Sequence, residues 1–206
     1  MDTHTVDNLI KIKDKIKKFK GIIYEDVAVY NIFKDESLEL IWFQNHFATN
    51  YLSINYWLEH GCTSAVISNE ITKEEIKEIV DNSSKPLVLN ILGKNQIMYS
   101  RRKLLTNFNT FNALDNYNDM CLYEPITKNS FRARESEFGT IIMNDEYFNY
   151  VSLMKEINDD KIKYYLILNQ DLSIFDISSI INGNSFGNSG FLNKKTVYRM
   201  SEYDDR

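Results

Sequence analysis

The sequence has little proline, glycine or cysteine, and it has no long run of apolar residues. Two prolines and seven glycines in 206 residues exclude a collagen-like chain and a proline-rich disordered chain. Thirteen tyrosines, twelve phenylalanines and 43% hydrophobic residues supply enough apolar side chains for a continuous core. We therefore expect a globular protein of a single domain, residues 1–206.

The two cysteines, Cys62 and Cys121, are far apart and form no CxxC or Cys/His spacing. The sequence therefore predicts no metal site, and two buried thiols in a reducing cytosol are the expectation. No apolar run reaches the roughly 18 residues of a membrane-spanning helix, and lysines interrupt the first helical pattern, unlike a signal peptide. We expect a soluble, cytoplasmic protein with no membrane partner.

The net charge of −5 disfavours binding of nucleic acid by the whole surface. It leaves open a local basic groove built from Lys94, Arg101, Arg102 and Lys103.

A strand, a polar end and a helix recur along residues 1–106 at intervals of about 20 to 25 residues, which is typical of parallel βα units. Strands are predicted at 22–24, 38–43 and 63–68, and a central strand at 88–92. Thr72 and Glu75 have the spacing of a capping box. The carboxyl ends of parallel strands carry ligands in such folds. The polar residues that follow the strands are therefore candidates for substrate binding: Glu25, Asn45, Asn50 and Glu70.

The central strand runs through Gly93 into a segment that carries Ser100, Arg101 and Arg102. This pattern predicts a loop that presents a hydroxyl and two cations at the mouth of the sheet, or alternatively a solvated basic turn. Residues 107–137 then break the series: 107–112 read as a loop, and 120–126 with 131–137 as a β-hairpin insertion. Within residues 138–206 the sequence pattern predicts a fifth strand at 138–145, a helix at 147–157, a sixth strand at 163–168 and a polar tail.

Several motifs occur together and in order: Ser68–Thr72, then Gly93 with Met98–Leu105, then Gly139–Asn144, and near the end Gly190–Leu192 with Lys195–Tyr198. In this order they resemble the peptidase U32 family across nearly the whole chain. The resemblance implies an α/β fold, a partial TIM-like (β/α) barrel of about five parallel strands.

The resemblance also implies an absence, because the chain begins where family members are already well into the barrel and so lacks about three βα units. An open parallel sheet leaves an unpaired edge and an uncovered face. We therefore expect either a homodimer or assembly with a longer U32 paralogue. A fragment of a longer protein and a truncated product with a rearranged sheet are the alternatives.

The family implies two activities: collagenase-like proteolysis, and hydroxylation of tRNA or rRNA pyrimidines at the 5-position, in several members with an iron–sulfur cluster. Where those members carry cluster cysteines, this chain has Gln96 and Lys103. No cluster is therefore expected from this chain alone, and its cofactor is left unknown.

Glu70 and Arg102 match the family's glutamate and Ser-x-Arg arginine, so they are the predicted catalytic pair. Arg102 would clamp a carboxylate or phosphate, and Glu70 would orient it or accept a proton. The alternative is a structural Glu–Arg pair. The leading hypothesis is a subunit or factor in RNA pyrimidine hydroxylation; the alternatives are a hydrolase that takes a peptide substrate and an inactive structural or regulatory fragment.

Overall fold

The computed structural model describes residues 2–115, 117–157 and 160–194. Its helices are α1 (Thr3–Lys11), α2 (Lys13–Ile16), α3 (Val27–Phe33), α4 (Tyr51–Glu59), α5 (Lys73–Asn82), α6 (Leu104–Phe111), α7 (Leu153–Glu156) and α8 (Ile174–Ile181). Its strands are β1 (Gly21–Tyr24), β2 (Glu39–Trp42), β3 (Ser64–Ile67), β4 (Leu87–Gly93), β5 (Gln96–Ser100), β6 (Asp119–Tyr123), β7 (Ser130–Ser136), β8 (Gly139–Asn144), β9 (Phe148–Asn149) and β10 (Ile162–Ile167).

These residues form two compact units. Unit 1 comprises the described residues within 1–91, 152–166 and 190–206, and unit 2 those within 92–151 and 167–189. Most of the polar tail predicted near the carboxyl terminus lies outside the described residues. None of the helices in the described ranges is long and apolar enough to cross a bilayer.

Unit 1 is built on a parallel sheet in the order β1-β2-β3-β4-β10. Gly21 lies opposite Glu39, and the register continues from β2 to β3 and from β3 to β4 in the same direction. The five parallel strands curl into a half-barrel, so the predicted partial barrel is confirmed. Helices follow the first strands in the order that βα units require.

Side-chain caps fix where α3 and α5 of unit 1 begin. Asp26 accepts a hydrogen bond from the Ala28 N–H at the start of α3. Thr72 and Glu75 form the predicted capping box of α5, with the Thr72 N–H donating to Glu75 Oε2 at 2.7 Å. Because each cap lies soon after a strand, it also sets the length of the polar loop between strand and helix.

The core of unit 1 lies on the strands. Ile41, Val66 and Val88 form a buried cluster, one residue from each of three neighbouring strands. Phe43, Tyr164 and Leu166 pack against this cluster and cover part of it. All four residues of β3 are buried, as expected for a central strand of a sheet with both faces covered.

The cysteines differ in their surroundings. Cys62 is buried, and its Sγ lies 2.8 Å from the Tyr24 hydroxyl; burial raises the pKa of both groups. Cys121 is exposed, because β6 is the outer strand of its sheet. The prediction of two buried thiols is therefore confirmed for Cys62 and wrong for Cys121.

Unit 2 is built on an antiparallel sheet in the order β5-β8-β7-β6. The predicted hairpin is present as β6 and β7, with Met120 opposite Ala133. The predicted fifth parallel strand is β8, which pairs antiparallel with β5 and β7. The length and apolar content of β8 matched a parallel strand, but β8 pairs antiparallel with both of its neighbours in the sheet.

Two predicted loops in unit 2 are regular structure. The segment after Gly93 contains β5, whose first four side chains are exposed, so it lacked the apolar pattern of a strand. The loop predicted at 107–112 is largely α6. The Glu135 carboxylate on β7 accepts the Leu105 N–H at 2.9 Å and thereby caps a helix that has no capping residue in its own sequence.

The helix predicted at 147–157 is also wrong in its first half. The Asn149 N–H donates to the Asn188 carbonyl at 2.8 Å, and the Asn149 side chain donates to Phe186. These contacts hold the backbone extended as β9, and a short α7 follows. Leu92, Tyr147 and Ile180 form the buried cluster of unit 2.

Candidate functional site

Three strands of unit 1 end at polar segments that contact one another. The Gln44 side chain, after β2, donates to the Glu25 carbonyl after β1 at 2.9 Å. Asn45 Oδ1 accepts the Asn69 N–H, after β3, at 3.1 Å. The predicted gathering of polar groups at the carboxyl ends is therefore present for β1, β2 and β3.

An imidazole and two carboxylates lie in this region. His46 Nδ1 and Glu70 Oε2 are 2.9 Å apart, and Ser68 Oγ accepts the Glu70 N–H. Loss of solvation raises the pKa of Glu25, and the nearby charge of His46 opposes that shift. A histidine that is oriented by a carboxylate can transfer protons, and the set can bind polar groups of a ligand.

Asn50 has a structural contact of its own. Its side chain accepts the Ser53 N–H at 2.9 Å and caps the start of α4. Its contact with a substrate stays a prediction.

Ser100, Arg101 and Arg102 lie in unit 2: Ser100 is the last residue of β5, and the two arginines follow it. The arginines therefore follow an antiparallel strand, and the carboxyl end of β4 is instead occupied by Lys94 and Asn95. Ser100 Oγ accepts the Arg102 N–H at 3.1 Å, and the side chain of Arg102 is exposed. The pairing of Glu70 with Arg102 stays a prediction.

Lys94 was predicted to belong to a basic groove at the surface, but its side chain is buried. It is 6% exposed, and its Nζ lies 3.1 Å from Asp145 and 3.9 Å from Asp171. Nζ also lies over the Tyr147 ring, and Arg134 binds both oxygens of Asp171. The buried Lys94 therefore belongs to a network of alternating charges whose other members are partly exposed, and it adds little to an exposed basic surface.

Sequence reasoning assigned no role to Asn90, a buried polar residue of β4. It is 1% exposed in the middle of β4, and among the described residues neither its amide nitrogen nor its amide oxygen has a hydrogen-bond partner. Because side chains alternate along a strand, Asn90 projects to the same face as Val88, one step nearer the carboxyl end. A polar residue inside an otherwise apolar strand was the signal that could have found it.

The described ranges 2–115, 117–157 and 160–194 contain no group of three His, Cys, Asp or Glu side chains that could hold a metal ion.

The fold and the site define the class: an α/β protein with a parallel half-barrel that gathers polar side chains at the carboxyl ends of its strands. The chain belongs to peptidase family U32, whose family profile matches residues 2–181.

Known proteins give two further comparisons. The chain is 25% identical over 154 residues to "tRNA hydroxylation protein P2" of Bacillus subtilis (strain 168); the match covers 70% of this chain and 50% of the relative. The chain therefore spans about half the length of that curated relative. The crystal structure of the Bacillus megaterium QM B1551 spore cortex-lytic enzyme SleL shows a weak likeness, with a TM-score of 0.35 and 10% identity over 95% of this chain and 55% of SleL. A likeness of that size carries no argument about the fold or the function.

Proposed function

We propose that this chain is a subunit or factor in 5-hydroxylation of RNA pyrimidines, most simply those of tRNA. The observation that carries the proposal is membership of peptidase family U32 together with similarity to a relative named for tRNA hydroxylation. The cytoplasmic location expected from the sequence belongs to the same proposal.

The polar groups at the carboxyl ends of β1 to β3 support a binding and proton-transfer role. His46, held by Glu70, can accept or donate a proton, while Asn45 and Gln44 fix the loops around it. Glu25 lies close enough for its charge to act on His46. In this proposal the nucleotide or small anion that is handled contacts this surface.

Ser100, Arg101 and Arg102 are the proposed contacts for phosphate or carboxylate groups. The guanidinium group of arginine suits bidentate binding of such anions, and Arg102 has an exposed side chain.

Two observations support the proposal of a protein partner: the unpaired edge of β1, and the residues that stand in place of the cluster cysteines. Among the described residues β1 pairs with β2 on one side, and its other edge has no strand beside it. Since Gln96 and Lys103 stand where relatives carry cysteines, an iron–sulfur cluster would come from a longer U32 paralogue. A homodimer would cover the same edge, and light scattering of the purified chain with and without the paralogue distinguishes the two.

The test of the proposed function is deletion of the gene, followed by mass spectrometry of nucleosides from purified tRNA and rRNA. We expect loss of 5-hydroxylated pyrimidine nucleosides and their return when the wild-type gene is supplied on a plasmid. Unchanged amounts in the deletion strain would contradict the proposal.

The peptidase hypothesis receives less support from the described residues. A nucleophilic mechanism needs a Ser, Thr or Cys beside a base, and no such side chain hydrogen bonds to a histidine in the described part of the chain. Gelatin cleavage that survives rigorous purification and disappears in Glu70→Ala would favour the peptidase instead.

A further inference from the structure

A groove of about 490 Å³ opens in unit 1 beside the ends of β1 and β2, and much of its wall is aromatic. Trp42, Trp57, Tyr56 and Phe47 supply the aromatic part, and Glu25 and Gln44 supply polar groups. The groove shares Glu25 and Gln44 with the polar segments that follow β1 and β2, and Ser53, Tyr56 and Trp57 of α4 also line it.

The aromatic rings are fixed by contacts with one another. Trp42 and Trp57 stack with centroids 5.1 Å apart, and Tyr56 meets Trp57 edge-on at 5.8 Å. His60 stacks on Tyr56 and holds its ring in place. Phe47 and Tyr56 nevertheless stay 66% and 55% exposed, so the groove presents ordered aromatic surface to water.

Glu25 is the acidic group of this groove. It forms no ion pair with a lysine or arginine among the residues that the structure describes, and the neighbouring His46 is engaged by Glu70. Loss of solvation raises the pKa of Glu25, and the charge of His46 opposes that shift.

We propose that this groove binds a substituted ammonium ion, with the cation against the exposed rings of Phe47 and Tyr56 and its charge balanced by Glu25. The negative face of an aromatic ring attracts a cation. A carboxylate at the wall adds attraction for a cation and repels phosphate and other anions. This ligand is distinct from the RNA of the proposed function, and Glu25 and Gln44 are the residues that the two sites share.

The test uses choline and its uncharged isostere 3,3-dimethyl-1-butanol as probes of the purified full chain. Trp42 and Trp57 are the two tryptophans of the sequence, so tryptophan fluorescence reports from the groove itself. We expect choline to change the emission saturably and to bind about tenfold more tightly than the alcohol.

Glu25→Gln should remove this discrimination, while Glu59→Gln, an exposed carboxylate on α4 outside the groove, should keep it. Tyr56→Leu provides a second variant if Glu25→Gln does not fold, and it should weaken choline binding. Equal binding of the two probes, no saturable response to choline, or a preference that survives in folded Glu25→Gln or Tyr56→Leu would overturn the proposal. Saturable quenching by uridine that is tighter than that by choline would also overturn it and would assign the groove to a nucleobase.

Discussion

The imidazole of His46 and the carboxylate of Glu70 are 2.9 Å apart, which links the loop after β2 to the loop after β3. Glu70 is the more enclosed partner, since its side chain is 23% exposed against 57% for His46. The more enclosed carboxylate therefore orients an imidazole that still faces water, an arrangement suited to proton exchange with a bound ligand.

Asn90 gives a prediction about stability. Its buried amide makes no hydrogen bond among the described residues, so Asn90→Leu should raise the free energy of unfolding by about 1–2 kcal/mol. Urea denaturation of the two proteins measures the change. A fall in stability would show that the amide has a partner in solution, such as a bound water.

The capping box of α5 gives a second prediction. Thr72→Ala removes the hydroxyl that accepts the Glu75 N–H and should cost about 1 kcal/mol of unfolding free energy. Thr3→Ala, at an exposed position of α1, is the matched control and should change little. Equal denaturation midpoints for wild type and Thr72→Ala would refute the capping role.

Glu39 gives a prediction about pH. Hydrogen bonding to Lys163, aided by Tyr164, lowers the pKa of Glu39 below its ordinary value of 4.5. A lowered folded-state pKa contributes stability above the unfolded-state value, and that contribution is lost as the pH falls through the folded-state value. Wild type should therefore lose more stability than Glu39→Gln on acidification below about pH 4.5.

Chemical denaturation at a series of pH values measures this difference, with Glu59→Gln as the control that should follow wild type. Parallel pH profiles for wild type and Glu39→Gln would contradict the assigned interaction.

Gly139 gives a prediction about the segment that carries the arginines. Its φ is +134°, and a Cβ there would collide with the backbone of Ser100 and Arg101. Gly139→Ala should therefore destabilise the protein by about 1–3 kcal/mol. Gly183→Ala has a φ of +103° but open space around the added methyl group, so it should cost less. Equal costs would show that the close approach is unimportant.

The sequence predicted the parallel βα units of unit 1 because such units leave local marks that do not depend on distant contacts, and the barrel itself was implied by the resemblance to the U32 family. Apolar strands, caps such as Thr72 and polar strand ends all appeared where expected in unit 1. Unit 2 was less predictable, because its order depends on long-range contacts. β5 is a strand through pairing with β8, and α6 is capped by Glu135 from another strand.

The candidate site also has a part that could be predicted from the sequence and a part that could not. That Asn45 and Glu70 lie at one end of the strands was predictable from the shared edge of a parallel sheet, but the contact of Glu70 with His46 was not, because the sequence predicted Arg102 as the partner of Glu70. The burial of Lys94 was not, since its partners Asp145 and Asp171 lie far along the chain. The two motifs of unit 2, Gly93 with Met98–Leu105 and Gly139–Asn144, predicted the family but not the antiparallel strands on which they lie.

The most direct measurement of the central claim is the content of 5-hydroxylated pyrimidine nucleosides in a deletion strain that carries site variants of this chain. Glu70→Ala should leave the content as low as in the deletion strain, while Glu78→Gln, an exposed carboxylate on α5, should restore it to the wild-type amount. Immunoblotting must show equal amounts of both variants. Full restoration by Glu70→Ala would contradict the account, because the mouth of the half-barrel would then not carry the function.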